Sequence, residues 1–361
     1  MKINISNATF SSIVGIGEKI IQVEKETGRK FLKLNRGVNM VTNINLDEVV
    51  KKIDYNSPEY QLYAPNTGIS SLKETIAKEY HFSNPKNISI TPGGMPALDL
   101  VIQLLHVENI YFPQFYWGSY SKMATIRKKP FSFYNSFLDM DTSKLNDSSG
   151  VFVCDPNNPT GIKMDDRSLY QKILDIQNTG AIVVFDSPYR KLFTNDIFGF
   201  DNMPNVIVTE SFSKWIGLPG ARLGFIHSSN EDFNRELNIR LLYEFNGVSS
   251  PSQVLVNKLL STEEGIIAIL NFRIHTCQNI QRNISYLSDN GFLPNEIYGE
   301  TKPLGIFAIV NKSEDFLFQN NIGSVGLEKF VYYEKDMYSS YARVCVSVPH
   351  EDFVNYFSKI K

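Results

Sequence analysis

Apolar residues recur along the chain with two distinct periods. Ile13, Ile16, Ile20 and Val23 fall near helical spacing, which predicts an amphipathic helix over Ile13 to Glu26. Phe31 to Leu34 predicts a short strand ending at Arg36-Gly37. Ser70 to Tyr80 predicts a helix with Ser70 and Ser71 as candidate caps. Ile88 to Thr91 is strand-like, and Gly93-Gly94 then turns into a helix from Pro96 to Leu105. Four further runs, Ile110 to Phe112, Gly150 to Cys154, Ala181 to Phe185 and Val206 to Thr209, are short, apolar and rich in branched side chains, as strands buried on both faces of a parallel sheet are. The segments between them have helical composition, for example Asp166 to Gln177. This alternation predicts an α/β fold with a mostly parallel sheet.

From Pro251 to about Leu287 the period is helical and long. Beyond it, Gly305 to Val310 and Ala342 to Val348 read as strands, and a terminal helix starts at Glu351. We read this part as a smaller α+β unit that the N-terminal segment joins by folding back. No repeat or low-complexity tract is visible.

A length of 361 residues suits one large and one small domain. The net charge of -2, with no Lys/Arg block, argues against nucleic acid as a partner. Cys154, Cys277 and Cys345 lie far apart without a CxxC pair, so neither a metal site nor a disulfide framework is expected. Met1 to Phe10 has no apolar core of signal-peptide length, and no apolar run would span a bilayer. A cytoplasmic protein without membrane contact is the expectation.

The most informative segment is Ser211-Phe212-Ser213-Lys214-Trp215-Ile216-Gly217-Leu218-Pro219-Gly220-Ala221-Arg222-Leu223-Gly224. A lysine that is partly desolvated and near other cations loses proton affinity and can condense with an aldehyde. The Ser211 and Ser213 hydroxyls and the Arg222 guanidinium suit a phosphate dianion. Gly93-Gly94-Met95 opens a helix after a strand, where free amides and the helix dipole favour phosphate.

Together these segments resemble the class I and II aminotransferases, pyridoxal-5′-phosphate (PLP) enzymes of fold type I. Asp155-Pro156-Asn157-Asn158-Pro159-Thr160-Gly161 is similar to the family's Asn-Pro-Asn-Asn-Pro-Thr-Gly turn. Asp186-Ser187-Pro188-Tyr189 is similar to its Asp-x-x-Tyr strand end, and Ser211 to Gly224 to its lysine segment. Ala342-Arg343-Val344-Cys345-Val346 is similar to its carboxylate-arginine strand. The resemblance covers nearly the whole chain. It implies a mostly parallel seven-stranded sheet between helices in a large domain over residues 48–255, with residues 1–47 and 256–361 forming the small domain.

The resemblance also implies roles. Lys214 would carry PLP and move the substrate proton. Asp186 would hold the pyridine nitrogen protonated, and Tyr189 and Asn158 would bond the ring's phenolic oxygen. Gly94, Met95, Ser211, Ser213 and Arg222 would hold the phosphate. Either Trp117 or Phe115, both in Phe112-Pro113-Gln114-Phe115-Tyr116-Trp117-Gly118-Ser119-Tyr120, would stack on the ring, with Trp117 preferred. Tyr63, in Tyr63-Ala64-Pro65-Asn66-Thr67-Gly68, would reach the phosphate of a second subunit, which implies a homodimer with shared sites. Arg343, with Asn158 and the loop at Gly37, would bind the carboxylate of an amino acid or a 2-oxo acid. The implied activity is amino transfer between an L-amino acid and a 2-oxo acid. A lyase, decarboxylase or cyclase reaction fits the same scaffold. A non-enzymatic PLP-sensing regulator would need a helix-turn-helix extension before Ile13, and the sequence shows none.

Overall fold

Strands buried along their whole length need cover on both faces, and the chain supplies it. In the computed structural model, which describes residues 1–194 and 200–360, the first strand is Leu32–Lys33 (β1). Seven strands then form the main sheet: Ile88–Thr91 (β2), Asn109–Pro113 (β3), Phe131–Tyr134 (β4), Ser149–Cys154 (β5), Ile182–Asp186 (β6), Val206–Ser211 (β7) and Gly224–Ser228 (β8). Their order is β2-β8-β7-β6-β5-β3-β4. Only β8 runs against its neighbours β7 and β2; the other pairs are parallel.

Alternate residues of each central strand pack to opposite sides, as the period of two requires. Phe152, Val184 and Ile207 point to one face, among Leu98, Val101 and Ile102 of the helix Gly94–Leu104 and Leu237 and Leu241 of the helix Glu231–Phe245. Val151, Val153, Val183, Phe185, Val206 and Val208 point to the other, against Leu169, Ile173 and Ile176 of the helix Asp166–Gln177.

The C-terminal third adds Phe307–Val310 (β9), Ile322–Gly323 (β10), Val325–Gly326 (β11) and Ala342–Cys345 (β12). Three of these form an antiparallel sheet in the order β11-β12-β9. β1 pairs in parallel with β10, Leu32 opposite Ile322, so the N-terminal segment does fold back onto this part. Among the described residues no helix is long and apolar enough to cross a membrane.

The structure departs from the sequence reading in three places. The helix Ser70–Tyr80 has the expected bounds, but neither Ser70 nor Ser71 caps it. Ile69 is the N-cap residue, without a side-chain cap, and its amide donates to Gln253 Oε1 at 2.8 Å. The long helical stretch from Pro251 breaks at Thr262, giving Ser250–Ser261 and Glu263–Asp289; the Thr262 side chain accepts from the Gly265 amide and starts the second helix. β4 and β8 were not visible in the pattern. β4 is a half-buried strand at the sheet edge, and β8 carries a buried histidine, His227, stacked on Phe82 at 3.8 Å.

Candidate active site

β5, β6 and β7 are in register across Cys154, Asp186 and Thr209, so β5 and β6 end side by side and β7 runs on to Ser211. Loops leaving such an edge bring distant segments together, which is where open α/β sheets form crevices. A cavity of about 390 Å³ lies there. Lys214, Asp186, Tyr189, Asn158, Arg222 and Arg343 all line it, so one space gathers residues spread over nearly two hundred positions.

Lys214 sits on the short helix Phe212–Trp215 directly after β7. Its Nζ donates to the Gly37 carbonyl. Burial pulls its amine down from the ordinary 10.5 to about 8, and the cations Arg343 and Arg222 act in the same direction. An amine with that affinity is partly neutral near physiological pH, as a nucleophile or general base must be. Gly37 is a glycine because of close approach: a Cβ there would lie 2.4 Å from the Phe307 ring.

Asp186 ends β6 and is buried. Burial pushes its carboxyl up to about 6, against hydrogen bonds from Tyr120 Oη and from Thr209 Oγ1, the latter at 3.0 Å. Tyr120 and Thr209 were not singled out from the sequence. The Thr209 contact follows from strand register. The Tyr120 contact spans 66 residues and had no local signal.

Asn158 links two of the expected residues. Its Nδ2 donates to Tyr189 Oη at 3.3 Å, and its Oδ1 accepts from Arg343 Nη1 at 3.0 Å. The turn that presents it is locked by Asn157 Oδ1, which accepts from the Thr160 amide at 3.1 Å and from Thr160 Oγ1 at 2.9 Å. Gly161 closes the turn at φ +71, where a Cβ would meet the Phe307 carbonyl at 2.0 Å. Arg343, on β12, is fully buried; its Nη2 donates to the Asn35 carbonyl. The guanidinium lies 4.2 Å from the Phe307 ring and 4.6 Å from Phe330. Burial pulls its pKa down to about 10. Its buried Nε has no partner among the described residues.

One end of the cavity gathers Gly94, Ser211, Ser213 and Arg222, groups whose chemistry suits an anion. Gly93, at φ +107, precedes the helix Gly94–Leu104, whose first amides have no helical partners. Ser211 and Ser213 face each other, Oγ to Oγ at 2.9 Å. A Cβ on Gly93 would lie 2.7 Å from Arg222 Nη2, and one on Gly94 3.1 Å from the Ser211 Cβ. Only glycines let helix start, serine and arginine close around one space.

Met95 and Trp117 also line the cavity. Phe115 turns away, with its ring 5.2 Å from Tyr338 at an angle of 80°. Tyr63 does not line the cavity of its own chain; it is 88% exposed. Among the described residues no group of three His, Cys, Asp or Glu could hold a metal ion.

Comparison with known proteins bears on this geometry. The family model for aminotransferase class I and II matches residues 29–290. A histidinol-phosphate aminotransferase of Thermococcus kodakarensis is 29% identical over 174 residues, 46% of this chain and 50% of the relative. Histidinol-phosphate aminotransferase 2 of Bacillus anthracis is 29% identical over 250 residues, 64% of each chain. The chain thus spans about half to two thirds of the length of these relatives. Among solved structures, aspartate aminotransferase from Thermus thermophilus with maleate superposes with a TM-score of 0.85 at 15% identity, covering 100% of this chain and 99% of the other. That likeness establishes the fold.

Proposed function

The chain belongs to the class I and II aminotransferases, whose cofactor is PLP, and from that premise we propose that it moves an amino group between an L-amino acid and a 2-oxo acid, with Lys214 as the cofactor lysine. The observation that carries this reading is the shared cavity: a lysine brought down to about 8, a buried carboxylate and a buried arginine all face it. The donor set fits the cofactor. The cradle at Gly93, Gly94, Ser211, Ser213 and Arg222 suits a phosphate, and Asp186 supplies a carboxylate for a ring nitrogen. When bound, PLP supplies an electron-withdrawing ring that stabilises negative charge at the substrate α-carbon.

The chain's own residues do the rest. Asp186, held by Tyr120 and Thr209, balances a positive charge on the ring. Tyr189 and Asn158 offer donors to the ring oxygen, and Met95 adds its amide to the phosphate cradle. Trp117, which lines the cavity, would cover the ring face. Arg343 and Asn158 take the substrate carboxylate, and the spare Arg343 Nε leaves room for a further hydrogen bond. With PLP bound, Lys214 would hold the cofactor, and its amine would be the base placed to take the substrate α-proton. The Gly37 carbonyl orients that amine.

We further propose a homodimer in which Tyr63 serves the neighbouring subunit's phosphate, an expectation supported by its exposure and its absence from its own cavity. The names of the relatives make histidinol phosphate one of the first donors to assay. The test is borohydride reduction of the enzyme with peptide mapping, joined to a screen of amino donors with 2-oxoglutarate. A pyridoxyl adduct on Lys214 together with a 2-oxo or aldehyde product supports the reading. An adduct elsewhere, or release of carbon dioxide or ammonia in place of transfer, refutes it.

A further inference from the structure

The two side chains assigned to the substrate carboxylate come from separate parts of the fold. Asn158 sits on the turn after β5 and Arg343 on β12. They are 185 residues apart in sequence and meet at 3.0 Å. A carboxylate that bonds to both needs their spacing held, because hydrogen bonds weaken steeply once distance and angle drift.

Tyr298 spans the gap behind them. It ends the short helix Asn295–Tyr298 and is buried. Its Oη donates to the Thr160 carbonyl at 2.8 Å and accepts from the Ile309 amide at 2.8 Å. Thr160 belongs to the turn that presents Asn158. Ile309 lies on β9 directly opposite Arg343 of β12. One hydroxyl therefore ties the backbone behind one half of the carboxylate site to the strand behind the other half.

The sheet order explains why a side chain is needed there. β9 is outermost in β11-β12-β9, so the Ile309 amide at its free edge has no strand to pair with. Ile16, Phe31, Val325, Leu327 and Phe330 surround the contact with apolar groups. In such surroundings a hydrogen bond is strong and an unpaired amide or carbonyl is costly. Burial pushes the Tyr298 phenol up from its ordinary value, so it keeps its proton and remains a donor at neutral pH. The Leu304 and Gly305 amides also hold this turn, through the Gly161 carbonyl at 2.8 and 2.9 Å, but Tyr298 grips it one residue closer to Asn158.

We propose that Tyr298 is a positioning residue for substrate binding, which fixes the separation of Asn158 from Arg343 by tying Thr160 to Ile309. This rests on the amino-transfer reading.

The test uses the PLP-loaded enzyme and the variants Tyr298→Phe, Asn158→Ala, their double variant and Tyr134→Phe. Tyr134 is the control, a phenol that donates to the Phe152 carbonyl at 2.7 Å outside the cavity. kcat and KM are measured with L-glutamate, L-leucine and L-phenylalanine as donors. Binding of unreactive 2-methylalanine, and of methylamine, which has no carboxylate, is followed by cofactor absorbance. Tyr298→Phe should raise KM and the 2-methylalanine Kd roughly 10-fold, keep kcat within about 2-fold and leave methylamine binding unaltered. In the Asn158→Ala background the same substitution should add less than about 2-fold, since the side chain it positions is gone. Tyr134→Phe should match wild type in every readout. Wild-type KM and Kd in Tyr298→Phe, an equal loss for methylamine, full additivity with Asn158→Ala, or the same losses in Tyr134→Phe overturns the inference and leaves amino transfer standing. So does a Tyr298→Phe protein that no longer folds or holds PLP on Lys214, which marks a general structural residue. A wild type that turns over no donor and binds no 2-methylalanine removes the amino-transfer reading as well.

Discussion

Removing Lys214 should abolish catalysis and at the same time stabilise the cofactor-free protein. Burial lowers its amine from 10.5 to about 8. At about 1.4 kcal/mol per pH unit, keeping the amine charged in that site costs about 3 kcal/mol relative to the unfolded chain. Lys214→Met keeps much of the side-chain volume and removes the charge. It also loses the hydrogen bond to Gly37, worth about 1 kcal/mol. The net expectation is a gain of about 2 kcal/mol at pH 6 to 7. The sign with pH follows from proton counts. Between about 8 and 10.5 the unfolded wild type holds a proton that the folded protein has released, so wild-type stability rises with pH across that window. Below about 8 both states hold the proton and the penalty is complete. The advantage of the variant should therefore be full at pH 6 to 7, shrink from pH 8 upward, and become a loss of about 1 kcal/mol above pH 10.5. Urea unfolding of both cofactor-free proteins across this range measures it, provided the urea dependence of ΔG is the same for both. A variant no more stable than wild type at pH 6.5, with a constant difference at every pH, would refute the buried-charge account.

Three further outcomes are expected. Asp186→Ala should lower turnover roughly 10²- to 10³-fold, and Tyr120→Phe, which leaves Thr209 as a partner, only about 5-fold; near-normal kcat in Asp186→Ala contradicts the assignment. Arg343→Gln should raise KM for donors roughly 100-fold and leave the absorbance of the lysine-bound cofactor unaltered; lost cofactor with unchanged KM would mark a structural arginine. Tyr63→Asp and Lys214→Ala, each inactive, should regain about one working site per heterodimer when mixed and allowed to exchange subunits, whereas exchange without recovery argues against shared sites.

The sequence by itself determined the layered α/β core and named residues that the structure brings to one cavity. Val151, Val183 and Val206 lie in short, largely apolar runs rich in branched side chains, and that pattern fits a sheet covered on both faces. The Ser-Phe-Ser-Lys segment and Asp186 were legible for a related reason. A strand end followed by a turn is a local event, and its residues travel together in sequence. Tertiary structure decided what depends on distant partners. β4 and β8 needed neighbours, because a half-buried edge strand and a strand with a buried histidine are paired by the sheet and not by their own pattern. The break at Thr262 came from a cap within a continuous helical period. Trp117 and Phe115 are two residues apart, and only the surrounding packing sends one ring to the cavity and the other to Tyr338. Tyr120 meets Asp186 across 66 residues, and Arg343 meets Asn158 across 185. Side-chain direction at such sites is set by long-range packing, and no periodicity along the chain encodes it.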